Sequence, residues 1–215
     1  MDASAGKLSV FVDLDNTIVY QSNWPDHPAR KELEEQGASP YTLSALQPKQ
    51  INERLPEGTR AFNSNGLIIA VRRRPHAHEF LGKLKALVGS LCLLTHGRTA
   101  HQTKVLELSG LAPFFSVIVG RDRYKDLVPQ KDKNWLLLDD LDPRDPTCMS
   151  KLNGLGVLSN RALKVFDPFS DAEVAEASKR VVIVPAYNGE MENEGLLWVW
   201  PEVERKIRTL GRLNA

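Results

Sequence analysis

The stretch LSVFVDLDNT, residues 8–17, decides how the rest of the chain reads. Leu8 to Val12 is a short apolar run rich in β-branched and aromatic side chains, the pattern of a core strand, and it stops abruptly at Asp13-Leu14-Asp15-Asn16-Thr17. Two carboxylates at i and i+2 on an extended strand end point the same way, so they repel unless a cation or a bound group neutralises them. A metal ion is the simplest remedy. In open α/β sheets, ligand-binding groups collect at the carboxyl ends of the strands, so each residue that terminates an apolar run is informative.

Outward from that stretch, Leu91 to Thr95 is apolar without alternation, as a strand buried on both faces should be. Val117 to Val119, Trp135 to Asp139 and Val181 to Val184 read as further strands. Helical spacing fills the intervals. Ala77, Phe80, Leu81, Leu84, Leu87 and Val88 lie at helical spacing up to Gly89, and a helix from about Thr99 to Leu108 closes at Gly110. A short helix falls near 171–180 and a terminal one at about 195–210. This alternation predicts a single α/β domain over 1–215 on a mostly parallel sheet. Residues 20–60 break the rhythm: Pro25, Pro28, Pro40, Pro48 and Pro56 punctuate a polar segment with at most short helices near 29–36 and 41–47. Asn65-Gly66, between Phe62 and Val71, reads as a hairpin turn. Residues 20–66 are thus expected to form a flap or small cap, and 142–180 a second, loop-rich insertion.

The chain has 215 residues, 42% of them hydrophobic and 26% charged, values of an average soluble domain that exclude disordered, collagenous and membrane classes. No run approaches the roughly 18 apolar residues of a membrane-spanning helix, and the first residues lack the basic start and apolar segment of a secretory leader. An intracellular, soluble location in cytoplasm or nucleus is expected, with no membrane partner. Cys92 and Cys148 stand in no metal-ligand spacing, which argues against a disulfide framework and against zinc. The net charge of +1 conceals an uneven distribution: residues 61–135 hold 12 basic and 5 acidic side chains. Arg72, Arg73, Arg74, Arg98, Arg121 and Arg123 supply much of this charge, which favours an anionic ligand.

The strand ends supply the chemistry. The first offers Asp13 and Asp15, the second Thr95, the fourth Asp139 and Asp140, while Lys125 lies in the loop after the third. His76, His78, His96 and His101 form no ligand spacing, and Trp198 and Trp200 are expected to pack the last helix against the sheet.

With these residues in place, the chain resembles the haloacid dehalogenase (HAD) superfamily of aspartate-nucleophile phosphotransferases. Within it, the wording is similar to the FCP/SCP-type phosphatases of the RNA polymerase C-terminal domain, a group that includes the NLI-interacting-factor-like proteins. The matching stretches are FVDLDNTIV at 11–19, RRPHAHEFL at 73–81, LCLLTHGRTAHQTKVLEL at 91–108, YKDL at 124–127, LLLDDLDP at 136–143 and the closing 181–207. The resemblance covers a little over half the chain and leaves 20–60 and about 142–180 unmatched. It implies a Rossmann-like three-layer α/β fold with a central, mostly parallel sheet, a β-hairpin flap and no large second-type cap.

The resemblance also implies roles. Asp13 is the expected nucleophile and forms an aspartyl-phosphate, which a carboxylate can do toward phosphorus. Asp15 is the general acid and base, a carboxylate that dehalogenases of the superfamily lack. Thr95 donates to a phosphoryl oxygen and Lys125 neutralises charge, with Lys131 and Lys133 as rivals on spacing. Mg²⁺ is the expected cofactor, held by Asp13, by Asp15 through its backbone and by Asp140, with Asp139 beside it. FCP/SCP-type proteins usually have Asp-Asn at that last pair, so which aspartate ligates and which orients the lysine stays open. Thr17, His96, Gly97 and Arg98 are the candidate substrate contacts.

The expected activity is therefore Mg²⁺-dependent hydrolysis of a phosphomonoester on a phosphoprotein (Ser/Thr) or another large, polymeric phosphate. The alternative is the same chemistry on a nucleic-acid 3′-phosphate or a small metabolite, and a nucleic-acid partner is compatible with the basic middle. A non-catalytic peptide-binding scaffold is the reading furthest from these residues.

Overall fold

The computed structural model describes residues 8–126, 134–155, 170–190 and 195–212, except the side chains of Lys125, Asp126, Gly211 and Arg212. Its centre is a five-stranded parallel sheet of β1 (Ser9–Val12), β5 (Ser90–Leu94), β6 (Val117–Val119), β7 (Trp135–Asp139) and β8 (Val181–Ile183), in the order β6-β5-β1-β7-β8. The strand that opens the chain is thus the middle of the sheet, with Val10 paired to Leu91 on one side and Leu136 on the other. All five residues of β7 are buried, which is why its sequence lacks alternation.

Helices α4 (Ala77–Leu87), α5 (Thr99–Ser109), α6 (Pro146–Gly154), α7 (Asp171–Ser178) and α8 (Gly195–Arg212) cover this sheet. One core cluster joins Val10, Val12, Leu81, Leu84, Leu93, Leu106, Leu136 and Val203, and a second joins Phe11, Leu94, Leu137, Cys148 and Leu152. Gly110 closes α5 at φ 74°, a left-handed geometry that costs glycine nothing, as its position in the sequence predicts. Cys148 lies buried in α6, not in the polar loop the sequence suggests.

The insertion occupies the path between β1 and α4 and is more structured than expected. It holds an antiparallel sheet of β2 (Val19–Asn23), β3 (Thr59–Ser64) and β4 (Leu67–Arg73), in the order β2-β4-β3, and the short helices α1 (Pro28–Glu35), α2 (Pro40–Ala45) and α3 (Pro48–Asn52). Three of the prolines that punctuate the sequence start these helices, where a missing N–H costs no hydrogen bond. Asn65 and Gly66 both have positive φ, the two-residue hairpin turn read from the sequence. Trp24, Leu43, Ile51, Ala61 and Ala70 form a separate small core, with the Trp24 indole donating to the Leu43 carbonyl at 3.1 Å.

Arg72 and Arg74 are each only 1% exposed. Arg72 forms a fork with both oxygens of Glu32 at 2.6 Å and also reaches Thr59 and the Gly189 carbonyl, so it joins the insertion to the segment after β8. Arg74 donates to the Thr17 carbonyl at 2.9 Å and lies over the Tyr187 ring. Guanidinium groups are buried where planar, multidentate pairing repays their desolvation, and a count of charges along the sequence does not reveal that. Trp200 packs edge-on against Phe80 as expected, whereas Trp198 is 70% exposed because it projects from the opposite side of α8.

Candidate active site

Asp13 follows β1, Thr95 follows β5, and Asp139 ends β7, so three neighbouring strands deliver their terminal residues to one edge of the sheet. The turn after β1 is set by Asn16, whose φ of 59° reverses the chain. Ile18 and Val19 donate to the Leu14 carbonyl, and Thr17 Oγ1 returns to within 3.4 Å of Asp13 Oδ2 and 3.3 Å of Asp140 Oδ1.

Asp13, Asp139 and Asp140 form one carboxylate cluster, each offering an oxygen within 4.8 Å of the others. Lys151, from α6, places its ammonium 2.6 Å from Asp13 Oδ1 and 2.7 Å from Asp139 Oδ2. The second oxygen of Asp139 accepts from the Leu141 amide at 3.1 Å. Asp139 therefore has both oxygens engaged and orients the lysine, while Asp140 faces Asp13 across the Thr17 hydroxyl.

Burial pushes the Asp13 carboxyl up to about 8, even against the pull of the Lys151 ammonium, and the nearby Asp139 and Asp15 repel its charge further. Burial also opposes the charge on Lys151, but the two carboxylates outweigh it and hold its pKa above the usual lysine value. Asp140 is likewise raised by burial and by Asp139. One ammonium shared by two aspartates leaves this cluster with surplus negative charge in a desolvated place. Clustered carboxylate oxygens are the donor set of a hard divalent cation such as Mg²⁺, so the residues fit that ion. Asp13 and Asp140 would hold it.

Asp15 is half-buried, and its carboxylate accepts from the side-chain amides of Gln21 and Gln102. Burial raises its pKa, and the two amides work the other way. Thr95 is 1% exposed; its hydroxyl oxygen lies 3.3 Å from the Gly97 amide, and its carbonyl accepts from Tyr124 at 2.9 Å. The loop after it is anchored by β6, since Arg121 donates to the Gly97 carbonyl and Asp122 accepts from both the amide and hydroxyl of Thr99. A side chain on Gly120 would sit 2.3 Å from the Thr99 nitrogen, so only glycine lets these two loops approach so closely. His96, Arg98 and Arg121 are exposed at this loop, and burial together with the charges of Arg121 and Lys151 lowers the pKa of His96.

The structure thus brings together Asp13, Asp15, Thr17, Asp139 and Asp140, with Thr95, His96, Gly97 and Arg98 on the adjoining strand end. The side chain of Lys125, with Lys131 and Lys133, lies outside the described residues, and the ammonium seen beside Asp13 comes from Lys151, which the sequence reading did not single out. A signal for it existed. Asp145-Pro146 is a helix start, and Cys148, Lys151, Leu152 and Leu155 follow at i, i+3, i+4 and i+7, a lysine on an otherwise apolar face. Gln21 and Gln102 were also passed over.

No family model and no curated protein matches the chain. Among solved structures it is similar to Fcp1, an essential RNA polymerase II CTD phosphatase, at 16% identity over 96% of this chain and 49% of that one, with a TM-score of 0.49. Fission yeast Fcp1 bound to beryllium fluoride matches at the same identity and TM-score. A putative β-phosphoglucomutase from Thermotoga maritima matches at 14% over 91% of this chain and 99% of that one, with a TM-score of 0.40. The chain spans about half the length of the Fcp1 chains it matches.

Proposed function

We propose that this chain is a HAD-type, Mg²⁺-dependent phosphomonoester hydrolase. The observation that carries the reading is the Asp13 carboxylate at the end of the central strand, gripped by Lys151 beside two further aspartates. In the proposed reaction an Asp13 oxygen attacks phosphorus, the bond from phosphorus to the ester oxygen breaks, and the Asp15 carboxyl gives its proton to that departing oxygen. Asp15 then takes a proton from water as the water oxygen attacks the phosphorylated Asp13, which releases phosphate and restores the carboxylate. Lys151 neutralises charge near the nucleophile, and the Thr95 hydroxyl donates to a phosphoryl oxygen. Mg²⁺, when bound, supplies positive charge that stabilises the developing negative charge of the phosphoryl group.

The substrate we favour is a phosphorylated protein or another polymeric phosphate. Residues 120–134, between β6 and β7, are too few for a globular cap, and the exposed His96, Arg98 and Arg121 offer an anion-binding rim. A phosphopeptide is expected to exceed small esters in kcat/KM by roughly 10²-fold, about 2.7 kcal/mol of additional transition-state binding. The test compares phosphopeptides, 3′-phosphorylated oligonucleotides, nucleotides and sugar phosphates with Mg²⁺ present. A sugar phosphate or free nucleotide as best substrate overturns the large-substrate reading. Asp13→Asn should lower turnover by roughly 10³-fold or more. If it keeps a tenth of the activity, Asp13 is not the nucleophile.

A further inference from the structure

Asp15 does not stand alone. One of its oxygens accepts from Gln102 Nε2 at 2.9 Å, and the other accepts from Gln21 Nε2. These amides come from different parts of the molecule, Gln102 from α5 behind the Thr95 loop and Gln21 from β2 of the insertion. Because the ionised carboxylate can only accept, it turns the –NH₂ side of both glutamines toward itself. The Gln21 oxygen then faces His101 Nε2 at 3.0 Å, which makes that ring nitrogen the donor, while His101 Nδ1 lies 3.5 Å from Ser64 Oγ on β3. Phe62, also on β3, rests against the His101 ring at 5.6 Å. The two glutamines touch as well, Gln21 Nε2 lying 3.4 Å from Gln102 Oε1. A chain of contacts therefore runs from β3 through His101 of α5 to Gln21 of β2 and on to Asp15, which Gln102, also on α5, reaches directly.

Gln102 reaches Asp15 through a space that exists because residue 97 is glycine. A Cβ there would lie 1.9 Å from Gln102 Nε2, and the three heavy atoms nearest to it all belong to Gln102. Gln102 is only 2% exposed, so it has little room to move aside and keep its contact. Burying a long polar side chain costs conformational entropy and desolvation, and here its amide nitrogen is turned to the carboxylate assigned to proton transfer.

We propose that Gln102 and Gln21 are positioning residues that aim the Asp15 carboxyl at the departing ester oxygen, with Gly97 providing the passage for Gln102. The proposal rests on the reading of Asp15 as general acid. It predicts a dependence on the leaving group that mere loss of structure does not produce. An alkoxide needs a proton to depart, whereas 2,4-dinitrophenolate leaves without one. The ratio kcat/KM covers only the steps through departure of that group, so later hydrolysis of the phosphorylated enzyme does not mask the effect.

The experiment measures kcat/KM with Mg²⁺ for β-glycerophosphate and for 2,4-dinitrophenyl phosphate, in the wild type and in Gln102→Ala, Gln21→Ala, Gly97→Ala and the Gly97→Ala/Gln102→Ala pair. Gln102→Ala and Gln21→Ala should lose roughly 30-fold on the glycerol ester and less than about threefold on the dinitrophenyl ester. The paired variant should be no worse than Gln102→Ala alone, because the added methyl then has no side chain to displace. Turnover of the dinitrophenyl ester also reports that each variant is folded. Equal losses on both esters, or no loss on either, overturn the positioning role while the phosphatase reading stands. If the wild type hydrolyses neither ester, that reading falls and the positioning role falls with it.

Discussion

Lys151 sits on the apolar side of its own helix and is 1% exposed, with its ammonium between two carboxylates. A buried cation in such a place is destabilising without partners, and removing it leaves two buried acids that repel. Lys151→Met should therefore act twice, lowering phosphatase activity by roughly 10³-fold and destabilising the protein by about 3 kcal/mol. Lys125→Ala, measured beside it, tests the neutralising role that the family resemblance gives to Lys125. The reverse outcome, a dead Lys125 variant and an active Lys151 variant, would return the neutralising role to Lys125. The aspartates and Thr95 were legible because a parallel core strand is a continuous apolar run, so its first polar residue announces the site. Lys151 was not, because a single ammonium on a helix carries no such boundary, and only its partners across the fold give it meaning.

At the scale of elements, the helices with clear stops and the hairpin with its Asn-Gly turn match their sequence signals, while β2 and α6 escaped. The sequence of β2, VYQSN, is mostly polar and half-buried, so it shows neither alternation nor an apolar run. In α6 a cysteine and a lysine occupy positions where leucines would have declared the buried face. The start of α1 illustrates how an element carries a pH response. His27 is fully buried, its Nδ1 accepts the Ala29 amide at 3.1 Å to cap the helix, and its Nε2 has no partner among the described residues. Burial lowers its pKa to about 4, with the charge of Arg72 adding to the effect. The unfolded chain takes up a proton near pH 6.5 and the folded one does not, so this stability is present above pH 6.5 and lost as pH falls toward 4. The loss is about 3 kcal/mol over that window. His27→Asn keeps a capping acceptor and removes the titration. Denaturant unfolding at pH 7, 5.5 and 4.5 should show a shallower decline in that variant, and parallel declines would show that His27 does not control the acid limb.

For the molecule as a whole, surplus carboxylate charge at the sheet edge ties global stability to a cation. Mg²⁺ binding only to the folded state should raise the melting temperature, and at 100 times its dissociation constant it contributes about 2.7 kcal/mol. Asp140→Ala should blunt that upward shift and leave the chain as stable as the wild type, or more so, in excess chelator. A melting temperature indifferent to Mg²⁺ would show that the cluster does not bind it. Among the described residues no helix is long and apolar enough to cross a membrane. The sheet order, with β1 in the middle and its neighbours β5 and β7 far along the chain, also sets a timetable. A ribosome adding about 5–20 residues per second delivers Ser90 roughly 4–16 s after Ser9. Throughout that interval the central strand has no partner, while the insertion, whose strands pair with one another and whose core is its own, is complete before Ser90 arrives. Birth order therefore runs from the periphery inward: the wall beside Asp15 is built before the floor that holds Asp13, and pulse-labelled amide exchange should find β3 and β4 protected before β1.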